Sequence, residues 1–120
     1  MKILICGSRH FNDYDKLAKE LESIVRPEWK TVIHGGAKGA DSLGGLWAQA
    51  NGFEVQVFPA DWDTYGKKAG PIRNQEMLKQ NPDLVVAFLA PNSRGTKHMV
   101  SIAEKAGVPV RVVEIADDEG

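Results

Sequence analysis

Ten consecutive residues, Val32-Ile33-His34-Gly35-Gly36-Ala37-Lys38-Gly39-Ala40-Asp41, constrain this chain more than any others. The β-branched residues Thr31, Val32 and Ile33 give way to three glycines in five positions, and from Asp41 onward apolar residues recur with helical spacing. The pattern reads as strand, tight turn, helix. Glycine reaches positive φ without steric cost and lets a ligand approach bare backbone. The amides of such a turn, with the orphan N–H groups of a helix start, suit an anion such as phosphate. Lys38 adds a mobile charge. The spacing matches neither G-x-G-x-x-G nor G-x-x-x-x-G-K-[ST]. From the residues alone, the turn is a phosphate or nucleotide cradle, with a purely structural glycine turn as the alternative.

The stretches on either side repeat the alternation of strand and helix. Ile3, Leu4, Ile5 and Cys6 are apolar without alternation, which predicts a central strand covered on both faces. Gly7-Ser8-Arg9 breaks that run and puts Ser8 and Arg9 at its carboxyl end, where ligands gather in open α/β sheets. Arg9 can clamp a phosphate or carboxylate and Ser8 can donate to one; a surface pairing of Arg9 with Asp13 or Asp15 is the plainer reading. Asn12 or Asp13 caps a helix carrying Tyr14, Leu17, Ala18, Leu21, Ile24 and Val25, which Pro27 ends. After the glycine loop, Leu43, Leu46, Trp47 and Ala50 form one stripe and Asn51-Gly52 stops the helix. Gly44 and Gly45 weaken that helix by about 1 kcal/mol each relative to alanine, so the sheet or a ligand is expected to come close there.

Phe53, Val55, Val57 and Phe58 predict a third strand, and Pro59 to Gly70 a long loop of the kind that carries function. Within it Trp62 or Tyr65 can stack on a base, and Asp61 or Asp63 can accept from ribose hydroxyls. Pro71 suits the first position of a helix. Arg73 and Asn74 then sit in its first turn, where a cation opposes the helix dipole and is expected to face an anionic ligand or a buried acid. Leu84 to Leu89 is the longest apolar run and predicts another central strand. Pro91 to Thr96 is a second polar glycine turn, feeding a helix with Val100, Ala103 and Ala106 inward. Pro109 to Ile115 closes the pattern with a strand, and residues 116–120 form an acidic tail expected to be disordered. Five strands alternating with four helices predict a single α/β domain over residues 1–115: a three-layer sandwich with a mostly parallel five-stranded sheet and helices on both faces.

Charge narrows the partners. Fifteen basic against sixteen acidic residues give a net charge of −1, so no global field recruits nucleic acid or an anionic membrane. The lone Cys6 has no partner for an internal disulfide and reads as a buried thiol in a reducing compartment. Met1 to Cys6 is too short for a signal sequence and no apolar run is long enough to cross a bilayer, so the expected location is the cytoplasm. His10, His34 and His98 lack zinc-ligand spacing, and no metal centre is expected. His34, beside the glycine loop, can donate to a ligand phosphate, act as a general acid, or simply brace the loop.

Taken together, Gly7-Ser8-Arg9 with Phe11 and Asp13, His34-Gly35-Gly36-Ala37-Lys38-Gly39-Ala40-Asp41, Pro59-Ala60-Asp61-Trp62, Gly70-Pro71-Ile72-Arg73-Asn74 with Met77, and Gly95-Thr96 resemble the SLOG superfamily. Within it they are most similar to the YspA-type, cpYpsA-related single-domain group of bacteria and their phages. The resemblance covers nearly the whole chain. It implies a Rossmann-like fold whose pocket binds nucleotides or nucleotide-derived ligands, ADP-ribose-like molecules among them, and copies that associate as homo-oligomers. The glycine loop and the Arg-Asn pair are also similar to the DNA-processing protein A family, which binds single-stranded DNA. The weak net charge and the lack of a basic, aromatic-studded face argue against nucleic acid here and leave it a weaker alternative. The LONELY GUY phosphoribohydrolases use Pro-Gly-Gly-x-Gly-Thr-x-x-Glu with a catalytic glutamate. In this chain Met99 stands where that glutamate would fall, and Ser93-Arg94 replaces the glycines before Gly95-Thr96. Without that carboxylate the route loses its charge-stabilising group.

Two functions therefore stand. In the first, a binding module that senses or sequesters a nucleotide signal holds its ligand with Gly7, Ser8, Arg9, His34, Gly35, Gly36, Ala37, Lys38, Gly39, Asp41, Asp61, Trp62, Arg73, Asn74, Gly95 and Thr96. In the second, a hydrolase of N-glycosidic bonds in nucleotide or ADP-ribose derivatives uses Asp41, Asp61 or Glu76 to polarise water or the scissile bond, with Mg²⁺ able to join a carboxylate near phosphates. Asp41 reads more simply as a cap that satisfies backbone N–H groups.

Overall fold

A computed structural model of the chain describes residues 1–116; the acidic tail, apart from Ala116, lies outside them. Strands β1 (Lys2–Gly7), β2 (Thr31–His34), β3 (Glu54–Val57), β4 (Leu84–Leu89) and β5 (Val110–Glu114) form one sheet of order β3-β2-β1-β4-β5. Every pairing is parallel, so the sheet is wholly rather than mostly parallel. The two strands without apolar alternation, β1 and β4, lie side by side in its interior, with Cys6 opposite Ala87 and Gly7 opposite Phe88. Both are covered on both faces. The edge strand β3 instead keeps its residues exposed or half-buried.

Helices α1 (Tyr14–Ile24) and α2 (Ala40–Ala50) cover one face, where Leu17, Leu21, Trp47 and Ala48 pack with Ile3, Ile5, Val32, Val86 and Phe88. Helices α4 (Ala69–Leu78) and α5 (Arg94–Lys105) cover the other, where Met77, Met99 and Ala103 pack with Leu4, Cys6, Ile33, Val85 and Ala87. The α/β three-layer, Rossmann-like arrangement follows from the uninterrupted apolar strands, which need a helix layer on each side. Asp13 caps α1 as its sequence suggests, accepting from the Lys16 N–H at 3.0 Å. The paired glycines of α2 are answered by the sheet. A Cβ on Gly44 would stand 2.8 Å from Ile5 Cγ2, and one on Gly45 2.8 Å from His34 Nε2.

One expectation is corrected. Residues 59–70 are not an irregular loop: α3 (Trp62–Tyr65) and a 3₁₀ turn (Gly66–Lys68) fill most of the stretch, and α4 begins at Ala69. Asp61 starts this by accepting from the Thr64 N–H at 3.1 Å; Gly66, at φ 55°, ends α3, and the chain then turns through the 3₁₀ segment into α4. Pro71 is thus the third residue of α4, not the first. It remains harmless there, because the first four helical N–H groups have no partner within the helix. No helix among the described residues is long and apolar enough to cross a membrane.

Candidate functional site

After β1 the chain leaves toward α1 on one face of the sheet, whereas after β4 it leaves toward α5 on the other. The two connections diverge and open a crevice at the carboxyl ends of β1 and β4, the switch point at which open α/β sheets receive ligands. A cleft of about 1080 Å³ lies there. Its wall is Gly7, Ser8, Arg9 and His10 after β1, Asp41 of α2, Trp62 of α3, Lys67, then Gly70, Pro71, Arg73, Asn74 and Met77 of α4. Asn92 to Thr96 and His98, after β4, complete it, and Cys6 also lines it. A smaller hollow, of about 360 Å³, sits at the opposite end of the sheet among Arg26, Trp29, Asn51 and Phe53.

The glycine loop is built into the wall of the protein rather than left open beside this cleft. Gly39, at φ 77° and ψ −128°, precedes α2 and lies so close to the β1 exit that a Cβ there would stand 2.3 Å from the Ser8 carbonyl oxygen. That carbonyl accepts from both Ala40 N–H at 3.1 Å and Phe11 N–H at 3.2 Å, which fastens the two strand exits together. Three of the loop amides expected to hold a phosphate, those of Gly35, Gly36 and Ala37, are already engaged. Asp41 Oδ2 accepts from Gly35 N–H at 2.9 Å and Ala37 N–H at 3.4 Å, and His34 Nδ1 accepts from Gly36 N–H at 3.0 Å. Asp41 does cap backbone N–H groups, but those of the loop rather than those of its own helix. The anion in this cradle is the protein's own carboxylate.

That carboxylate is 5 % exposed, and burial raises its pKa from an ordinary 3.8 to about 6, against the pull of the Arg73 charge and of the Ala37 and Gly35 amides. A raised acid binds more protons folded than unfolded, so its contribution to stability is complete below about pH 3.8 and is lost as pH rises through about 6. His34 runs the other way. Burial lowers its pKa from 6.5, so its contribution is present above 6.5 and falls away as pH drops below it. An Asp41→Asn variant keeps a carbonyl acceptor for the two amides and sheds the buried charge. It is expected to match or exceed wild-type stability at pH 8, by up to about 3 kcal/mol, with the gap closing by pH 4. Urea unfolding across that range measures this. A variant weaker than wild type at pH 8 would mean that the charge of Asp41 is a net stabiliser of the loop.

Arg73 spans the glycine loop and the cleft. Its Nη1 donates to the Gly35 carbonyl at 2.8 Å and its Nε to Asn74 Oδ1 at 3.1 Å. Gly35 is the residue that permits this, since a Cβ there would overlap the guanidinium at 2.1 Å. Arg73 lines the cleft and its charge acts on the buried Asp41, although with α4 starting at Ala69 it stands past the first turn of the helix rather than within it. Asn74, 4 % exposed, donates from Nδ2 to the Gly95 carbonyl at 3.2 Å and lies 3.0 Å from His98 Nδ1, which ties α4 to the start of α5.

The cleft therefore gathers Gly7, Ser8, Arg9, Asp41, Trp62, Arg73, Asn74, Gly95 and Thr96 of the residues singled out in the sequence. It leaves out His34, Gly35, Gly36, Ala37, Lys38 and Gly39, whose loop stands behind Asp41 and Arg73. Two of the three candidate carboxylates are also elsewhere: Asp61 caps α3 and Glu76 lies on the exposed side of α4. Sequence reasoning missed Lys67, Arg94, His10 and His98 as cleft residues. Arg94 and His98 carried a signal, since they stand four apart at the start of a helix that follows a polar glycine turn and so share a face. Cys6 is buried, and that burial pushes its thiol well above the range of a nucleophile. Among the described residues no three His, Cys, Asp or Glu side chains are grouped as a metal site requires.

Arg9, Lys67, Arg73 and Arg94 face the cleft against the single carboxylate of Asp41, and α5 opens onto it with no acid in its first turn and no side-chain cap from Ser93. Comparison with known proteins agrees with the family features carried by these strand exits. A family model described as the YspA, cpYpsA-related SLOG family matches residues 1–65. The Gene 61 protein of Mycobacterium phage D29 is 42 % identical over 118 residues, covering 91 % of this chain and 93 % of that protein. By the family model over its first half and the phage relative over nearly its whole length, the chain belongs to the YspA, cpYpsA-related SLOG family, whose functions are nucleotide-related.

Proposed function

We propose that the β1–β4 cleft binds a phosphate-bearing nucleotide or nucleotide derivative, ADP-ribose-like in kind, and that the protein senses or sequesters it. The observation that carries this reading is the charge imbalance at the cleft: three arginines and a lysine against one carboxylate that is already committed to the glycine loop. In a chain of net charge −1 such a local excess of cations favours an anionic ligand. Phosphates sit toward Arg9, Arg73, Arg94 and the positive end of the α5 dipole. Trp62, 59 % exposed at the cleft, offers a ring face on which a base can stack. The volume suits a nucleotide rather than a single phosphate.

A second reading, hydrolysis of an N-glycosidic bond, draws on Asp41, a cleft carboxyl with a pKa of about 6 that can exchange a proton near neutral pH. Mg²⁺ would in that case depend on the ligand's phosphates for most of its oxygens. A thermal-shift panel of ADP-ribose, NAD, AMP, cyclic dinucleotides and short single-stranded DNA separates the readings, with chromatography of each ligand afterward. Stabilisation with the nucleotide recovered intact is the expected result. Base and ribose phosphate in the eluate would establish the hydrolase, and a response to DNA alone would replace both.

A further inference from the structure

The neighbours of Asn74 in the cleft dictate its orientation atom by atom. Arg73 Nε can only donate, so the Asn74 atom 3.1 Å from it is the carbonyl oxygen. The Gly95 carbonyl can only accept, so the atom 3.2 Å from it is the amide nitrogen. The same amide nitrogen lies 3.0 Å from His98 Nδ1. A donor facing that ring nitrogen requires it to carry a lone pair, and the ring proton then resides on Nε2.

His98 also follows Arg94 by one helical turn on α5, and both line the cleft. We infer that His98 is a ligand-contacting residue, held by Asn74 as a neutral Nε2–H donor that grips a phosphoryl oxygen alongside the Arg94 charge. This rests on the nucleotide-binding reading of the same cleft and adds a residue and a chemical role to it. The consequence is directional. Nε2 already bears the proton, so the ring gives a hydrogen bond to the ligand and does not take a proton from water there. His98 serves recognition rather than general-base hydrolysis. The arrangement also links the two halves of the wall, because the amide that sets the His98 tautomer shares its side chain with the oxygen that orients Arg73.

Two measurements on the intact protein test this. Two-bond ¹H–¹⁵N correlation of the histidine rings in the free protein is expected to show His98 protonated on Nε2 with Nδ1 bare, and Asn74→Ala to let the ring mix tautomers. A proton on Nδ1 in wild type overturns the inference. By calorimetry with ADP-ribose, His98→Ala is expected to weaken binding about tenfold, the loss of one hydrogen bond to a charged acceptor. His98→Gln, whose side-chain amide can place an N–H near the position of Nε2, is expected to stay within about threefold of wild type. Wild-type affinity in His98→Ala, with circular dichroism unchanged, removes His98 from the ligand. The calorimetry uses ADP-ribose or, if that gives no heat, whichever nucleotide of the panel stabilises the wild type; a wild-type protein that responds to none of them overturns the nucleotide reading of the cleft, and with it this one, and the absence of any wild-type signal tells that failure apart.

Discussion

Replacing Gly39 with alanine is expected to cost about 3–5 kcal/mol of stability and to leave little folded protein at 37 °C. Two separate effects add. The φ of 77° with ψ of −128° is a conformation that residues with a Cβ hold only at about 1–3 kcal/mol. The Cβ itself would meet Ser8 O at 2.3 Å, Arg9 C at 2.5 Å and Arg9 O at 2.6 Å. Those are backbone atoms, fixed by the hydrogen bonds of Ser8 to Phe11, Ala40 and Phe88, so no rotamer change relieves the contact and overpacking adds a further 1–3 kcal/mol or so. Chemical denaturation of the purified variant measures the loss. Because the displaced segment carries Arg9, the surviving folded fraction should also bind nucleotide less well. A variant as stable as wild type would mean that the β1 exit and the α2 start are not locked together, and the cleft geometry built on that lock would fall with it.

The second large effect is on the ligand. Arg73→Ala is expected to weaken ADP-ribose binding by roughly 10- to 150-fold, the range for a charge-assisted hydrogen bond of about 1.5–3 kcal/mol. Arg73→Lys should fall between, because an ammonium keeps the charge but cannot serve the Gly35 carbonyl, Asn74 and a ligand from one planar fork. The alanine variant also strips from Asp41 the charge that offsets its burial, so the Asp41 carboxyl should titrate above its wild-type value of about 6. That shift is visible by ¹³C NMR of the carboxyl without any ligand. The two readouts separate two jobs: an unchanged dissociation constant with a shifted Asp41 would confine Arg73 to bracing the glycine loop.

Much of this molecule is legible in its sequence. The unalternating runs Ile3 to Cys6 and Leu84 to Leu89 announced interior strands, because a strand covered on both faces has no reason to alternate. Asp13 announced a cap, and Gly44 with Gly45 a close approach, which the sheet supplied. The sequence also named Arg9 and Gly95-Thr96, since residues just past strand ends in a parallel α/β pattern fall on one edge, and it named Arg73 with Asn74 because a cation near a helix start calls for a negative partner. It misread the stretch from 59 to 70, where loop-like composition hid a capped helical turn started by Asp61.

Local pattern thus determined the elements, their order along the chain and the edge of the sheet on which polar residues collect, because periodicity, caps and glycines act over a few residues. Only the tertiary structure decided which loop faces the cleft. The glycine loop looks like an anion cradle in sequence, yet whether its amides are free depends on where Asp41 and His34 point once α2 packs on the sheet, and both point back into it. That packing moves the open cationic surface to the crevice between β1 and β4, where Arg73 of α4 meets the Arg94 and His98 pair of α5 from the far side of β4 in the chain. Long-range convergence of this kind follows from strand order, which no short window of residues encodes.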